Sequence, residues 1–333
     1  MKRLKRWLLL TVLCCGAAAG GLAWYAHTPL TLPAPQLQIT LEEGTTLKAL
    51  ATQLRKQGVV QSAWLFTLLG RLTGQASQLR AGTYLLDRPL SPWQLYAMIR
   101  EGKGLQSSVR FIDGWNLAEV RAALNSAPDL RHDTVAMSNA QLAAALGIRE
   151  PTPEGMFFPD TYFYAPGSSD LDVLRRAYAL EEQKLAAAWA ARAPGLPYQS
   201  SYQALIMASL IEKETAQADE RPLIAAVFLN RLRLNMKLQT DPTVIYGLGS
   251  RYDGNLTRAD LETDTPYNTY TRYGLPPTPI ALAGEAALLA ALHPAHSAAL
   301  YFVARGDGTH QFSDTLAEQN AAVYRYQIRP GGS

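Results

Sequence analysis

Few residues in this chain have the type and spacing for chemistry, and two of them are close neighbours on one helix. The segment Tyr202–Met236 reads YQALIMASLIEKETAQADERPLIAAVFLNRLRLNM. It predicts two helices, Tyr202–Thr215 and Arg221–Leu234, the second with Pro222 in its first turn. At about 100° per residue, Met207, Leu210 and Ile211 share one side of the first helix and Glu214 continues that stripe, while Glu212 points about 160° away. Glu214 is therefore expected on an apolar face at the negative end of its helix. Desolvation and the helix dipole both disfavour a carboxylate there. A carboxyl that keeps its proton near neutral pH is what a general acid requires. Spacing alone leaves a second reading open, a snorkelling or ion-paired surface glutamate near a frayed helix end.

Other chemistries are poorly supplied. No GxSxG, GxGxxG, Walker, HExxH or EF-hand pattern occurs. The histidines are His27, His132, His293, His296 and His310. His293 and His296 form a spaced pair, but Pro294 blocks a clean helical alignment and no acid lies nearby, so no metal site is expected. No segment points to Ser–His–Asp catalysis. Both cysteines, Cys14 and Cys15, fall in the apolar N-terminal segment, which leaves the rest without a disulfide or a thiol nucleophile. Of 31 Lys and Arg residues, four are Lys2, Arg3, Lys5 and Arg6; the other 27 face 28 Asp and Glu. That balance makes nucleic acid an unexpected partner. With 48% hydrophobic and 18% charged residues the chain can build a true core, and 333 residues suffice for about two domains.

The elements that must position Glu214 begin far upstream. Trp7–Ala26 holds no charged residue, and at ~1.5 Å per residue it reaches across a ~30 Å hydrocarbon layer. Trp7 marks one end, and Trp24 and Tyr25 the other, as in an interfacial aromatic belt. The four preceding basic residues place the N-terminus in the cytoplasm and the rest outside. Ala17, Ala18 and Ala19 leave open a cleaved signal peptide, although the apolar run continues beyond them. Residues 27–36 hold three prolines and read as an extended spacer. Next come a strand at Gln38–Leu41, a turn at Glu43-Gly44, a helix capped by Thr45 or Thr46 and a second helix after Ser62. A strand at Thr83–Leu86 and a capped helix from Ser91 to Arg100, stopped near Gly102, follow. Asp113–Leu117 repeats the turn-and-cap layout of Glu43–Leu47. PTPEGMFFPDTYFYA, residues 151–165, is either a packed loop or a wall of rings for stacking sugars. A long helix starts at Asp170 and ends near Arg192. Near the C-terminus, Tyr301–Val303 and His310–Phe312 flank a hairpin turn, and Thr315-x-x-Glu318 caps a closing helix.

Strand–helix–helix–strand resembles a LysM-like glycan-binding module; a small support domain that binds nothing has the same order. From Ala208 onward, ASLIEKETAQADERPLIAAVFLNRLRLNMKLQTDPTVIYGLG, ADLETDTPYNTYTRYGLPPTPIA, ALHPA and YFVARGDGTHQFSDTLAEQN resemble in succession the motifs of the MltG-type endolytic murein transglycosylases, the YceG-like family. RAGTY, Glu154-Gly155 and Pro159–Thr161 extend the resemblance upstream. The resemblance implies lytic cleavage of peptidoglycan at the β-1,4 bond between N-acetylmuramic acid and N-acetylglucosamine, leaving 1,6-anhydromuramoyl ends. It implies that the second Glu of EKET, Glu214, is the catalytic acid and then the base, with no metal or organic cofactor. It further implies that Asn230, Gln239, Thr240, Asp241, Asn268, Thr269 and Tyr270 line a sugar-binding groove. Each has a plainer reading: Asp241-Pro242 also starts a helix, and Asn268 also fixes a loop.

The expectation is an α+β protein with a single N-terminal transmembrane helix. Residues 1–6 form a cytoplasmic tail, 7–26 the helix, 27–36 a linker, 37–103 a LysM-like domain, and 104–333 a mainly helical catalytic domain with short strands. It would sit in a bacterial inner membrane with the catalytic domain periplasmic. Its partners would be peptidoglycan glycan strands and peptidoglycan synthases. A hydrolytic muramidase and a non-catalytic peptidoglycan-binding scaffold are the alternatives.

Overall fold

The computed structural model describes residues 2–34, 36–42, 44–74, 79–102, 104–105 and 107–328. Glu43 of the expected turn, Pro35 of the linker, and the boundary residue Lys103 lie outside the described residues, as do Met1 and residues 329–333. The protein is mixed α and β, largely helical, and among the described residues three two-stranded sheets pair β1–β2, β3–β4 and β5–β6. It forms two compact units, the first being Met1–Ser107 with Pro128–Leu130 and Phe163–Ser168.

The first unit contains α1 (Lys2–His27), β1 (Leu37–Leu41), α2 (Leu47–Lys56), α3 (Ala63–Leu72), β2 (Gly82–Leu86) and α4 (Pro92–Glu101). The strand–helix–helix–strand order is as expected. The antiparallel register pairs Ile39 with Tyr84 and Leu41 with Gly82. With a side-chain period of two, Ile39, Leu41, Tyr84 and Leu86 are all buried. Thr46 and Ser62 cap α2 and α3, so Leu47, Leu50 and Leu54 of α2 and Phe66 and Leu69 of α3 reach the same core. Tyr96 of α4 stacks on Phe66 with ring centroids 4.4 Å apart and donates its hydroxyl to Phe66 O at 2.6 Å. That hydroxyl lies 2.6 Å from where a Cβ on Gly70 would stand, so α3 and α4 need glycine at their close approach. A Ser91–Gln94 capping box starts α4, and Gly102 at φ 68° ends it. α1 is long and apolar enough to cross a membrane from Leu10 to His27. Its C-terminal end is packed, with Leu22, Tyr25 and Ala26 joining the core of this unit. Pro128–Leu130 and Phe163–Ser168 are held to one another by Tyr164 Oη donating to Pro128 O at 2.8 Å and Gly167 N to Asp129 O at 2.6 Å.

The remaining elements are β3 (Ser107–Arg110), α5 (Leu117–Ser126), α6 (Asn139–Leu146), β4 (Thr161–Tyr164), α7 (Asp170–Ala190), α8 (Ser201–Glu214), α9 (Arg221–Arg233), α10 (Asp241–Leu248), α11 (Arg258–Glu262), α12 (Glu285–Leu292), the hairpin β5 (Tyr301–Ala304) and β6 (His310–Ser313), and α13 (Leu316–Val323). Capping boxes at Asn116, Ser138 and Thr315 start α5, α6 and α13. The core of the second unit is built around α8. Every residue from Ala204 to Ile211 is buried, and α12, α9 and α7 pack against this helix. This corrects the expected single apolar stripe: with α10 also packed on it, a helix wrapped by four others has no polar face to contrast with it along 204–211. The aromatic stretch is a packed loop running into β4, since Met156, Phe157, Phe158, Tyr162 and Tyr164 are buried and only Phe163, 56% exposed, offers a ring. Gly155 stands at its bend, at φ 73°, where a Cβ would lie 2.3 Å from Pro279 Cβ.

Glu181 of α7 is 1% exposed, and neither carboxyl oxygen has a hydrogen-bond partner among the described residues. Burial pushes it up to about 8. The folded value lies above the unfolded one of 4.5. The stability penalty is therefore absent below about pH 4.5, grows as the pH rises and levels off above about pH 8. Glu181→Met removes it. Denaturant melts should show the variant about 1–3 kcal/mol more stable at pH 8, with the gain shrinking toward pH 5. Parallel pH profiles for the two proteins would contradict this.

Candidate active site

Glu214 is the last residue of α8, and Thr215 after it turns extended, at φ −147° and ψ 138°. The chain leaves the helix there, so the half-buried carboxyl meets the segment leading into α10. Thr240 Oγ1 donates a hydrogen bond to Glu214 Oε1. No second partner holds Oε2 among the described residues, and Glu214 lines a cleft of about 300 Å³. Burial pushes Glu214 up to about 7. The charge of Asp241 pushes the same way, while the Thr240 hydroxyl and His310 pull against it. The result is a carboxyl that holds and releases a proton near neutral pH.

Thr240 is itself fixed. Its N–H donates to Thr269 Oγ1 at 3.0 Å, Thr243 Oγ1 donates to Thr240 O at 2.7 Å, and Thr243 and Thr269 hydroxyls lie 2.9 Å apart. All three threonines are buried. Gln239 precedes them in the left-handed region, at φ 53°. Its N–H donates to Thr269 O at 3.2 Å, and its Oε1 accepts from Arg231 Nη1 at 3.2 Å. Arg231 is buried, with Nε on Leu300 O at 2.6 Å and Nη1 on Leu238 O at 2.9 Å. It thus brings a positive charge to the cleft wall, with no ion-pair partner among the described residues. Tyr270 Oη donates to Asp241 Oδ1 at 2.5 Å on the same wall.

The structure therefore brings Gln239, Thr240, Asp241 and Tyr270 to the Glu214 cleft. Thr269 stands one layer behind, through Thr240. Asn230 and Asn268 do not line the cleft. Asn230 Nδ2 holds Ser297 O and Ala299 O at 2.9 and 3.1 Å. Asn268 is fully buried, with Nδ2 donating to the carbonyls of Asp260, Leu261 and Thr263 and Oδ1 accepting from Tyr270 N at 2.8 Å. Its amide is spent on the loop that presents Thr269 and Tyr270.

Glu212 is also inside the protein, its side chain only 6% exposed. What separates the two glutamates is their partners rather than one facing inward and one outward. Glu212 Oε2 accepts the Gly284 N–H at the start of α12 at 3.0 Å, and Oε1 accepts Arg221 Nη2 at 3.3 Å. Burial raises its pKa, but a backbone donor and a cation favour its charged form and give it a structural task. Glu154 is pushed to about 7 by burial, yet both oxygens are taken, by Leu117 N–H at 2.9 Å and Tyr246 Oη at 3.0 Å. Among these three glutamates, Glu214 alone has an oxygen with no partner among the described residues, left for a ligand. Arg231 and the His310–Glu220 pair described below went unassigned in the sequence, where only burial and long-range pairing would have marked them.

The sequence model of the YceG-like family matches residues 39–325. A Bacillus subtilis (strain 168) protein named endolytic murein transglycosylase is 32% identical over 315 residues, covering 87% of this chain and 84% of that one. A Streptococcus pneumoniae (strain D39) protein of the same name is 24% identical over 307 residues; the match takes in 80% of this chain but 54% of the longer pneumococcal one. A crystal structure of a YceG-like protein from Listeria monocytogenes superposes with a TM-score of 0.52 at 28% identity, covering 86% of this chain and 98% of the other.

The Thr240 hydroxyl favours the charged form of Glu214, so Thr240→Val should raise the Glu214 midpoint above about 7. Carboxyl-carbon NMR titration measures it directly. An unchanged or lowered midpoint would show that the hydrogen bond does not govern this group.

Proposed function

The chain belongs to the YceG-like family, and from that premise we propose how it works as a murein transglycosylase. It cuts the β-1,4 bond between N-acetylmuramic acid and N-acetylglucosamine within peptidoglycan strands. Glu214, protonated, lies beside the glycosidic oxygen and gives it a proton as the C1–O bond breaks. The muramoyl 6-hydroxyl closes on C1 and leaves a 1,6-anhydro end. In the one-residue form of this route Glu214 then takes the proton of that hydroxyl. Gln239, Thr240, Asp241 and Tyr270 offer amide, hydroxyl, carboxylate and ring contacts to the sugars. Thr269 and Asn268 act from behind by holding the segments that carry Thr240 and Tyr270, and Asn230 fixes the segment that leads into β5. The observation that carries the reading is a cleft carboxyl poised near neutral with one free oxygen.

Asp241 favours one other reading. It is a second carboxyl on the same cleft and would serve hydrolysis, in which paired carboxylates activate water. The products separate the two. Digestion of uncross-linked glycan should yield anhydromuramoyl ends by mass spectrometry, and Glu214→Gln should lower kcat about 10²- to 10⁴-fold. Reducing ends would support hydrolysis, and full activity in Glu214→Gln would remove that residue from catalysis.

The N-terminal helix anchors the enzyme in the inner membrane, with the basic end cytoplasmic and the catalytic unit periplasmic. The β1–α2–α3–β2 unit is LysM-like and contacts glycan. A tethered enzyme meets strands as peptidoglycan synthases make them. Removing residues 2–20 keeps Leu22, Tyr25 and Ala26 in their core. That form should leave longer strands in cells; unchanged strand lengths would count against the tether's role.

A further inference from the structure

The β5–β6 hairpin brings an imidazole to the cleft. His310 opens β6 and lines the cleft with Glu214. Glu220, in the turn that precedes α9, grips His310 twice. His310 N–H donates to Glu220 Oε1 at 2.8 Å, and His310 Nδ1 lies 2.7 Å from Glu220 Oε2. Thr215 Oγ1 donates to the same Oε2 at 3.4 Å, so the turn directly after Glu214 is tied to this pair. Burial raises the Glu220 value, but its two hydrogen bonds with His310 outweigh it and hold the group below the ordinary glutamate range. A carboxylate beside Nδ1 needs a proton on that nitrogen, which makes Nε2 the acceptor of the neutral ring. Nε2 has no hydrogen-bond partner among the described residues. Two rings pack against the imidazole: Phe302 meets it edge-on at 5.4 Å and 90°, and Phe312 flanks it at 6.5 Å. A carboxylate orienting an imidazole whose other nitrogen is free is the arrangement of a general base and its support.

We infer that His310 is a second catalytic residue, whose Nε2 accepts the proton of the muramoyl 6-hydroxyl while Glu214 protonates the departing oxygen, and that Glu220 is its positioning residue. The inference rests on the lytic reading above and divides its two proton transfers between two groups. The O6–C1 bond forms as the C1–O bond to N-acetylglucosamine breaks. The Glu214 proton goes to the departing oxygen, which becomes a free hydroxyl, and the O6 proton goes to Nε2. The enzyme is left with a Glu214 carboxylate and a His310 imidazolium, and transfer of one proton from imidazolium to carboxylate through water restores the starting state. With acid and base separate, the ring closure need not wait for Glu214 to lose its proton first.

The test uses the full-length protein in detergent on uncross-linked glycan strands, with His310→Gln, His310→Ala and Glu220→Gln compared with wild type. His310→Gln should lose about 10²-fold or more in kcat while KM stays within about threefold. Added imidazole should restore part of the rate to His310→Ala, and Glu220→Gln should show a smaller fall, also in kcat. Wild-type kcat in His310→Gln would overturn the inference and leave the lytic reading standing. So would a loss carried by KM alone, or one that imidazole fails to relieve and that tracks a lowered Tm, since either makes His310 a packing residue. Reducing ends from the wild-type enzyme would instead overturn the lytic reading on which the inference rests.

Discussion

One carboxyl, buried enough to resist ionising and hydrogen-bonded enough not to refuse it, is the constraint around which the second unit is arranged. Glu214 feels desolvation and Asp241 on one side, and the Thr240 hydroxyl and His310 on the other. Strengthening either side would fix the proton on or off. The opposing groups must therefore be placed firmly, and most of the surrounding structure serves that placement.

The means are local and polar. Gln239 takes a left-handed backbone so that Thr240 can turn toward α8, and Thr243 and Thr269 lock it there. Asn268 knits its own loop together from within. Arg231, buried against carbonyls, joins the segment before Gln239 to the strand end at Leu300. Such groups are costly to bury without partners and each has several, so they hold the cleft wall rigid. α8, wrapped on all sides, gives this network a fixed reference.

Much of this was legible in the sequence wherever the signal is local. Capping residues and hydrophobic periodicity located α2, α4, α9 and α13, and the strand order of the first unit followed from the same signals. Glu214 was expected on an apolar face and lies half-buried, but the stripe used to separate it from Glu212 is not what distinguishes them. Neither points out to solvent, and Arg221 with the Gly284 N–H makes the difference. Asn230 and Asn268 carry groups suited to sugar binding, yet both are spent on carbonyls. The His310–Glu220 pair joins residues 90 positions apart, and no local spacing announces it. Residue type reveals which groups can do chemistry; only the folded chain reveals which are already occupied.

The most direct measurement is a crystal structure of the Glu214→Gln protein with a bound glycan oligosaccharide. The account predicts that the substituted amide lies about 2.6–3.2 Å from the oxygen of one muramoyl–glucosaminyl bond. The oligosaccharide seated elsewhere, such as in the separate cavity of about 910 Å³ lined by Asn116, Glu154 and Tyr246, with residue 214 out of reach of every glycosidic oxygen, would contradict it.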